Sequence, residues 1–158
     1  THKRKKANTM AMNLQGLKHV VAIATQSLAT TATATGTSID TKGFDELQIV
    51  LVRATHASDA ITTFTIEQSD DDSTYATVTG YVQGTDYTVA SIIGGTSQAA
   101  AQPAVFNIDL RGKKRYFRCK VTPATSTSLV GATAILARAS EAPITAAKAN
   151  VTQLVNPS

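Results

Sequence analysis

The stretch Pro103–Pro123, PAVFNIDLRGKKRYFRCKVTP, holds two runs of alternating residues around a short basic turn. Phe106, Ile108 and Leu110 alternate with Val105, Asn107 and Asp109, so the first run has one apolar face and reads as a half-buried strand. After Arg111-Gly112-Lys113-Lys114 the alternation resumes, with Phe117, Cys119 and Val121 on one side and Tyr116, Arg118 and Lys120 on the other. Two such runs, separated by about four residues that include a glycine, predict a β-hairpin with a basic loop.

The same rhythm recurs on either side. His19–Leu28, HVVAIATQSL, predicts a strand with Val21, Ile23 and Thr25 on one face. The Ala/Thr-rich run Ala29–Ser38 reads as a loop or loose edge, and Asp40 and Gly43 supply turn residues before the next run. Glu46–Ala54, ELQIVLVRA, sets Leu47, Ile49 and Leu51 against Gln48, Val50 and Val52. Both faces carry apolar residues, so this strand is expected to be central or covered on both sides. Ile61–Ser69 alternates Phe64, Ile66 and Gln68 against Thr63, Thr65 and Glu67, and the acidic Asp70–Thr74 follows as a turn. Short strands are expected at Tyr75–Tyr81 and Gly84–Val89, a long loop at Ala90–Gln102, and a last strand, rich in small residues, at Leu129–Arg138. About eight strands with regular turn signals predict an all-β, single β-sandwich of jelly-roll-like form spanning residues 19–138.

Composition fits that class. Thr and Ala are abundant, Trp is absent, aromatic residues make up 5% and charged residues 16%, and Leu-rich amphipathic runs are missing. The net charge of +4 is local: Lys3, Arg4, Lys5 and Lys6 hold four of the 15 Lys and Arg, and the remaining 11 equal the 11 Asp and Glu. Residues 1–18 therefore read as a basic arm and residues 139–158 as a second arm, both too poor in apolar residues to fold alone. The lone Cys119 excludes an internal disulfide and a cysteine metal cluster, and its alternation with Phe117 and Val121 marks it as a small buried hydrophobe. No apolar stretch approaches the roughly 18 residues of a membrane helix.

Chemistry-bearing residues do not assemble into a site. Asp70, Asp71 and Asp72 lack the glycine and distant glutamate of an EF-hand loop, and read as a solvated turn. His56, Ser58 and Asp59 crowd one short loop, whereas a hydrolytic triad draws its members from separate segments. His2 and His19 have no partner spacing for a metal, and Gly94-Gly95 is not followed by the Lys-Ser/Thr of a phosphate loop. No enzymatic activity, cofactor or metal is expected. Two basic groups are candidates for contact: the arm residues Lys3, Arg4, Lys5 and Lys6, and the hairpin surface formed by Arg111, Lys113, Lys114, Arg115, Arg118 and Lys120. The formally neutral body weighs against nucleic acid as the partner.

Three stretches together, FTIEQSDDDSTYATVTGY (Phe64–Tyr81), IDLRGKKRYFRCKVTP (Ile108–Pro123) and LVGATAILARA (Leu129–Ala139), resemble small β-sandwich proteins encoded among the head genes of tailed bacteriophages, some of them capsid decoration or cement proteins. The resemblance implies a non-enzymatic virion protein, made in the host cytoplasm, that clusters as a homotrimer on the capsid surface, binds the major capsid protein and bridges capsomers with its tails. The basic arm lies outside the similar stretches. A head-to-tail connector or tail component and a glycan-binding adhesin are the alternative expectations; the absence of Trp and the presence of only four Tyr count against the last.

Overall fold

The computed structural model describes residues 16–54, 61–88, 103–123 and 127–139. Strands β1 (Lys18–Leu28), β2 (Ala34–Thr35), β3 (Ile39–Asp40), β4 (Phe44–Arg53), β5 (Ile61–Ser69), β6 (Ala76–Thr77), β7 (Pro103–Asp109), β8 (Tyr116–Pro123) and β9 (Ser128–Ala139) form two antiparallel sheets. Sheet A has the order β1-β9-β4-β7, and sheet B the order β2-β8-β5-β6, with β3 pairing β8 beside β2. Taking β2 and β3 as one interrupted strand, the chain changes sheets at every connection except β5 to β6, which is the strand order of a jelly roll.

That order corrects the hairpin expectation. β7 pairs β4 in sheet A, whereas β8 pairs β5, β2 and β3 in sheet B. Residues 110–115 therefore arch between the sheets. Leu110 stays buried and donates its N–H to Asp45 O, and Thr41 N–H bonds Arg115 O, so each end of the arch is tied to a different layer. The alternation correctly assigns the inward residues, but Phe106 and Ile108 enter the core from sheet A and Phe117 and Cys119 from sheet B, rather than lying beside one another in one sheet.

The core lies between the layers. Leu47, Ile49 and Leu51 of β4, Phe64 and Ile66 of β5, Phe117, Cys119 and Val121 of β8, and Val130, Ala134 and Leu136 of β9 are all buried. The Phe64 and Phe106 rings, one from each sheet, meet at 5.2 Å between centroids, and Tyr87 adds an edge contact to Phe106 at 5.3 Å. Burial pushes the Cys119 thiol up to about 12, in keeping with the expected hydrophobe. Arg53 is also fully buried and donates Nε to Ser128 Oγ at 3.1 Å.

Three further expectations change. A register shift between Val21 and Ile23 buries Ala22 and Ile23 together and leaves Val21 57% exposed, so Val21 and Ile23 do not share a face, and Thr25 is exposed. β4 is central, as its two apolar faces predict, and Val52 on its outer face is 45% exposed. Of the strand expected at Gly84–Val89, residues 84–88 instead form a turn closed by the bridge Gln83–Tyr87, Val89 lying outside the described residues, and the strand expected at Tyr75–Tyr81 is reduced to Ala76–Thr77. Residues 78–88 cover the open flank of β5: Phe64 N–H donates to Gln83 Oε1 at 2.8 Å, and the Tyr87 hydroxyl donates to Phe64 O at 2.6 Å. The two arms up to residue 15 and from residue 140, and the loop expected at Ala90–Gln102, lie outside the described residues.

Candidate functional site

The outer face of sheet B carries most of the basic residues singled out in the sequence. β8 turns Tyr116, Arg118 and Lys120 outward because its other face is committed to the core, and β5 sets Glu67 directly opposite Arg118 and Thr65 opposite Lys120. Glu67 Oε2 accepts from Arg118 Nε at 2.7 Å and Oε1 from Lys120 Nζ at 3.1 Å. Burial raises the Glu67 carboxyl, but the hydrogen bonds from Arg118 and Lys120 outweigh it and hold the group below the usual range. The Arg118 guanidinium also lies 3.8 Å from the centre of the Tyr75 ring.

The arch cations are matched in the same way. Arg115 forks onto Asp40, Nε to Oδ1 at 2.8 Å and the terminal nitrogen to Oδ2 at 2.7 Å, and this hydrogen bonding lowers the Asp40 carboxyl to about 2. Lys114 Nζ lies 3.0 Å from Asp70, and Arg111 forks onto Asp109, whose carboxyl it lowers to about 2. Lys113 Nζ donates to Thr79 O at 3.1 Å. The six residues thus do not form one basic patch: Arg118 and Lys120 lie on sheet B, Arg111 reaches the end of sheet A, and five of the six hold a carboxylate.

Asp71 is a turn organiser. Its Oδ1 accepts from Ser69 Oγ and from the N–H groups of Ser73 and Thr74, which pulls its carboxyl far down, and Asp72 accepts from the Tyr75 hydroxyl. Among the described residues no group of three His, Cys, Asp or Glu side chains could hold a metal ion. No helix among them is long and apolar enough to cross a membrane. Lys3, Arg4, Lys5, Lys6, His2, His56, Ser58, Asp59 and Gly94-Gly95 lie outside the described residues.

Sheet A presents two features that the sequence reading missed. At the end where β1 begins and β9 finishes, a groove of about 760 Å³ is lined by Leu17, Glu46, Gln48, Asp109, Arg111 and Arg138, among others. Arg138 adopts a left-handed φ of 55°, an irregularity in β9, and its guanidinium bonds Glu46 at 3.2 Å in this groove. Further along, the register aligns Val21, Thr133, Val50 and Val105 across all four strands, with Gly131 and Val52 in the next row. Val21, Val52, Val105 and Leu129, all on this face, are 45–57% exposed and account for four of the five large hydrophobics exposed among the described residues. The signal was present in β4, whose second apolar set, Val50 and Val52, faces outward.

No protein-family model matches the sequence, and no curated protein sequence matches it either. Solved structures share the fold. A chain of infectious bursal disease virus, Gx strain, aligns over 80% of this chain with a TM-score of 0.51 and 13% identity. VP2 in the subviral particle of the same virus aligns over 78% with a TM-score of 0.51 and 12% identity, and the exported protein XepA of PBSX over 94% with 0.51 and 14%. The chain spans 32% of each of the two viral chains and 45% of XepA, so each neighbour is more than twice its length.

Proposed function

We propose that this chain is a non-enzymatic structural component of a virus particle, a jelly-roll module that decorates and cements a shell. The observation that carries the reading is the pairing of Lys18 with Leu136, which brings the roots of both terminal segments side by side to one pole of sheet A. A body with two arms rooted at one pole can seat that pole on a shell and reach neighbouring subunits with both arms, so that many weak contacts act together. The fold likeness to VP2 of a subviral particle supports the reading, as jelly rolls are a recurrent building block of capsids. The local pairing of the sheet B cations supports a protein partner over nucleic acid, because phosphate binding needs uncommitted positive charge. On the shell, copies cluster about a local symmetry axis as trimers, with the arms bridging to the major capsid protein and Lys3, Arg4, Lys5 and Lys6 on an acidic patch. The test is a cryo-EM map of the native particle. Density for the sandwich on the outer surface, arm pole inward, is the expected result; density inside the shell, on packaged genome or at a single tail vertex would refute the cement reading.

A further inference from the structure

We propose that the outer face of sheet A is the contact through which two copies of this chain pair about a two-fold axis. The first argument is the clustering of exposed apolar groups. Val21, Val52, Val105 and Leu129 project from one sheet face, and the rows through Thr133–Val50 and Gly131–Val52 that join them carry no charge. Contiguous apolar surface of this kind marks an interaction site, while apolar residues scattered singly do not.

The second argument is that the edges are closed to pairing. β1 carries register shifts, and Thr37 occupies its outer carbonyls, with N–H to Ala22 O at 3.0 Å and Oγ1 to Val21 O at 2.6 Å. β7 begins with Pro103, which has no N–H, and its Asn107 carbonyl accepts from the Tyr81 hydroxyl. Both edges of sheet A are thus blunted, and association falls to the face.

The third argument is area. Four strands spaced about 4.8 Å apart, with ten residues of β4 at about 3.3 Å each, give a footprint of roughly 600 Å² per copy and about 1,200 Å² for the pair. That reaches the lower bound for a specific interface. The same face offers both halves of the fit. A hollow of about 330 Å³ is lined by Val21, Thr25, Val52 and Leu129, among others, and Val105 projects from the strand at the far edge. A contact that carries knob and hollow on one surface is self-complementary under a two-fold. The charges of Glu46, Asp109, Arg111 and Arg138 sit at one end, where a polar rim belongs.

The pairing concerns the free protein and does not rest on the particle reading, in which the arms hold the shell-bound clusters. It is tested by sedimentation equilibrium of the full chain over about 1–500 μM, with Val52→Lys and Val105→Lys as variants and Thr65→Lys on sheet B as control. The expected result is a species of twice 16.5 kDa whose dissociation constant rises about a hundred-fold or more with either lysine, because a two-fold sets the two new charges in one interface, and does not change with the control. Val52→Thr and Val105→Thr keep the shape and are expected to weaken pairing about ten-fold, which guards against misfolding of the lysine variants. A wild-type chain that remains single throughout, a species of three copies, or a pair indifferent to all four variants would overturn the proposal.

Discussion

Gly36→Ala tests the closure of the sandwich on its β1 side. A β-carbon at position 36 would lie 2.1 Å from the Ala22 carbonyl oxygen and 3.1 Å from that of Cys119, so backbone must move. This segment bridges the layers: Gly36 N–H donates to Cys119 O of sheet B at 2.7 Å, and Thr37 N–H to Ala22 O of sheet A at 3.0 Å. Relieving the clash requires a shift of about 1 Å, which weakens both bonds, each worth about 1 kcal/mol net, and adds strain of about 1–2 kcal/mol. Alanine also reduces the freedom of the unfolded chain, which returns about 0.5–1 kcal/mol. The net expectation is a loss of about 2–3 kcal/mol, read as a fall of roughly 5–10 °C in the thermal midpoint and a matching shift in urea. Gly112→Ala is the comparison, because that residue sits in open space at a φ of 74° and carries only a backbone penalty of about 1 kcal/mol. A Gly36→Ala protein within about 0.5 kcal/mol of wild type, or less affected than Gly112→Ala, would refute the reasoning.

Tyr87→Phe removes the donor to Phe64 O on the flank of β5 and is expected to cost about 1–2 kcal/mol in urea unfolding while leaving the circular dichroism unchanged. Cys119, buried with its thiol pushed up to about 12, is expected to react with a thiol reagent only as fast as the domain unfolds; labelling that saturates under native conditions would contradict its burial. Asp40 and Glu67 are held below their ordinary values, so each contributes stability that is present above its ordinary carboxylate range and is lost as pH falls through its lowered value, about 2 for Asp40. Asp40→Asn should make that decline shallower, and an acid limb identical in both proteins would remove Asp40 from the account. Deleting Thr1–Lys6 is expected to leave the thermal midpoint unchanged and to weaken sedimentation with shells most at low salt, where a Debye length above about 8 Å lets the four charges act.

The inward residues of β4, β7 and β8, and Phe64 and Ile66 of β5, were legible, because period-two alternation states which side chains share a face. Alternation does not name the neighbouring strand, and β7 and β8 show the consequence. Their apolar sets fit a hairpin, with both on one side of a single sheet, and fit equally an arch, with the sets facing each other across a core. A jelly roll requires the arch at this position, so the expected fold already excluded the expected hairpin; the conflict was between a local turn signal and a global strand order. The bulge in β1 was hidden for a different reason. In His19-Val20-Val21-Ala22-Ile23 both faces are apolar, and nothing in composition marks where the register slips. The two apolar faces of β4 fit a central strand as well as a covered one; β4 is central, and Val52 is exposed on its outer face.

The neutral body acquires a more specific meaning once the strands are paired. Equal numbers of acids and bases could have produced separate positive and negative regions, which would steer partners over a distance. Instead Glu67 stands across the ladder from Arg118 and reaches Lys120, Asp40 holds Arg115, and Asp70 holds Lys114, so opposite charges cancel within hydrogen-bonding distance. Such pairing adds little stability on an exposed sheet, but it removes the long-range field that would otherwise repel a second copy or attract polyphosphate. In the proposed pairing the attraction is short-ranged and apolar, through Val21, Val52, Val105 and Leu129 on the outer face of sheet A. Lys3, Arg4, Lys5 and Lys6 account for the formal net charge of +4, so in the proposed particle reading electrostatic encounter falls to the arm and, in the proposed pairing, contact selectivity to the sheet.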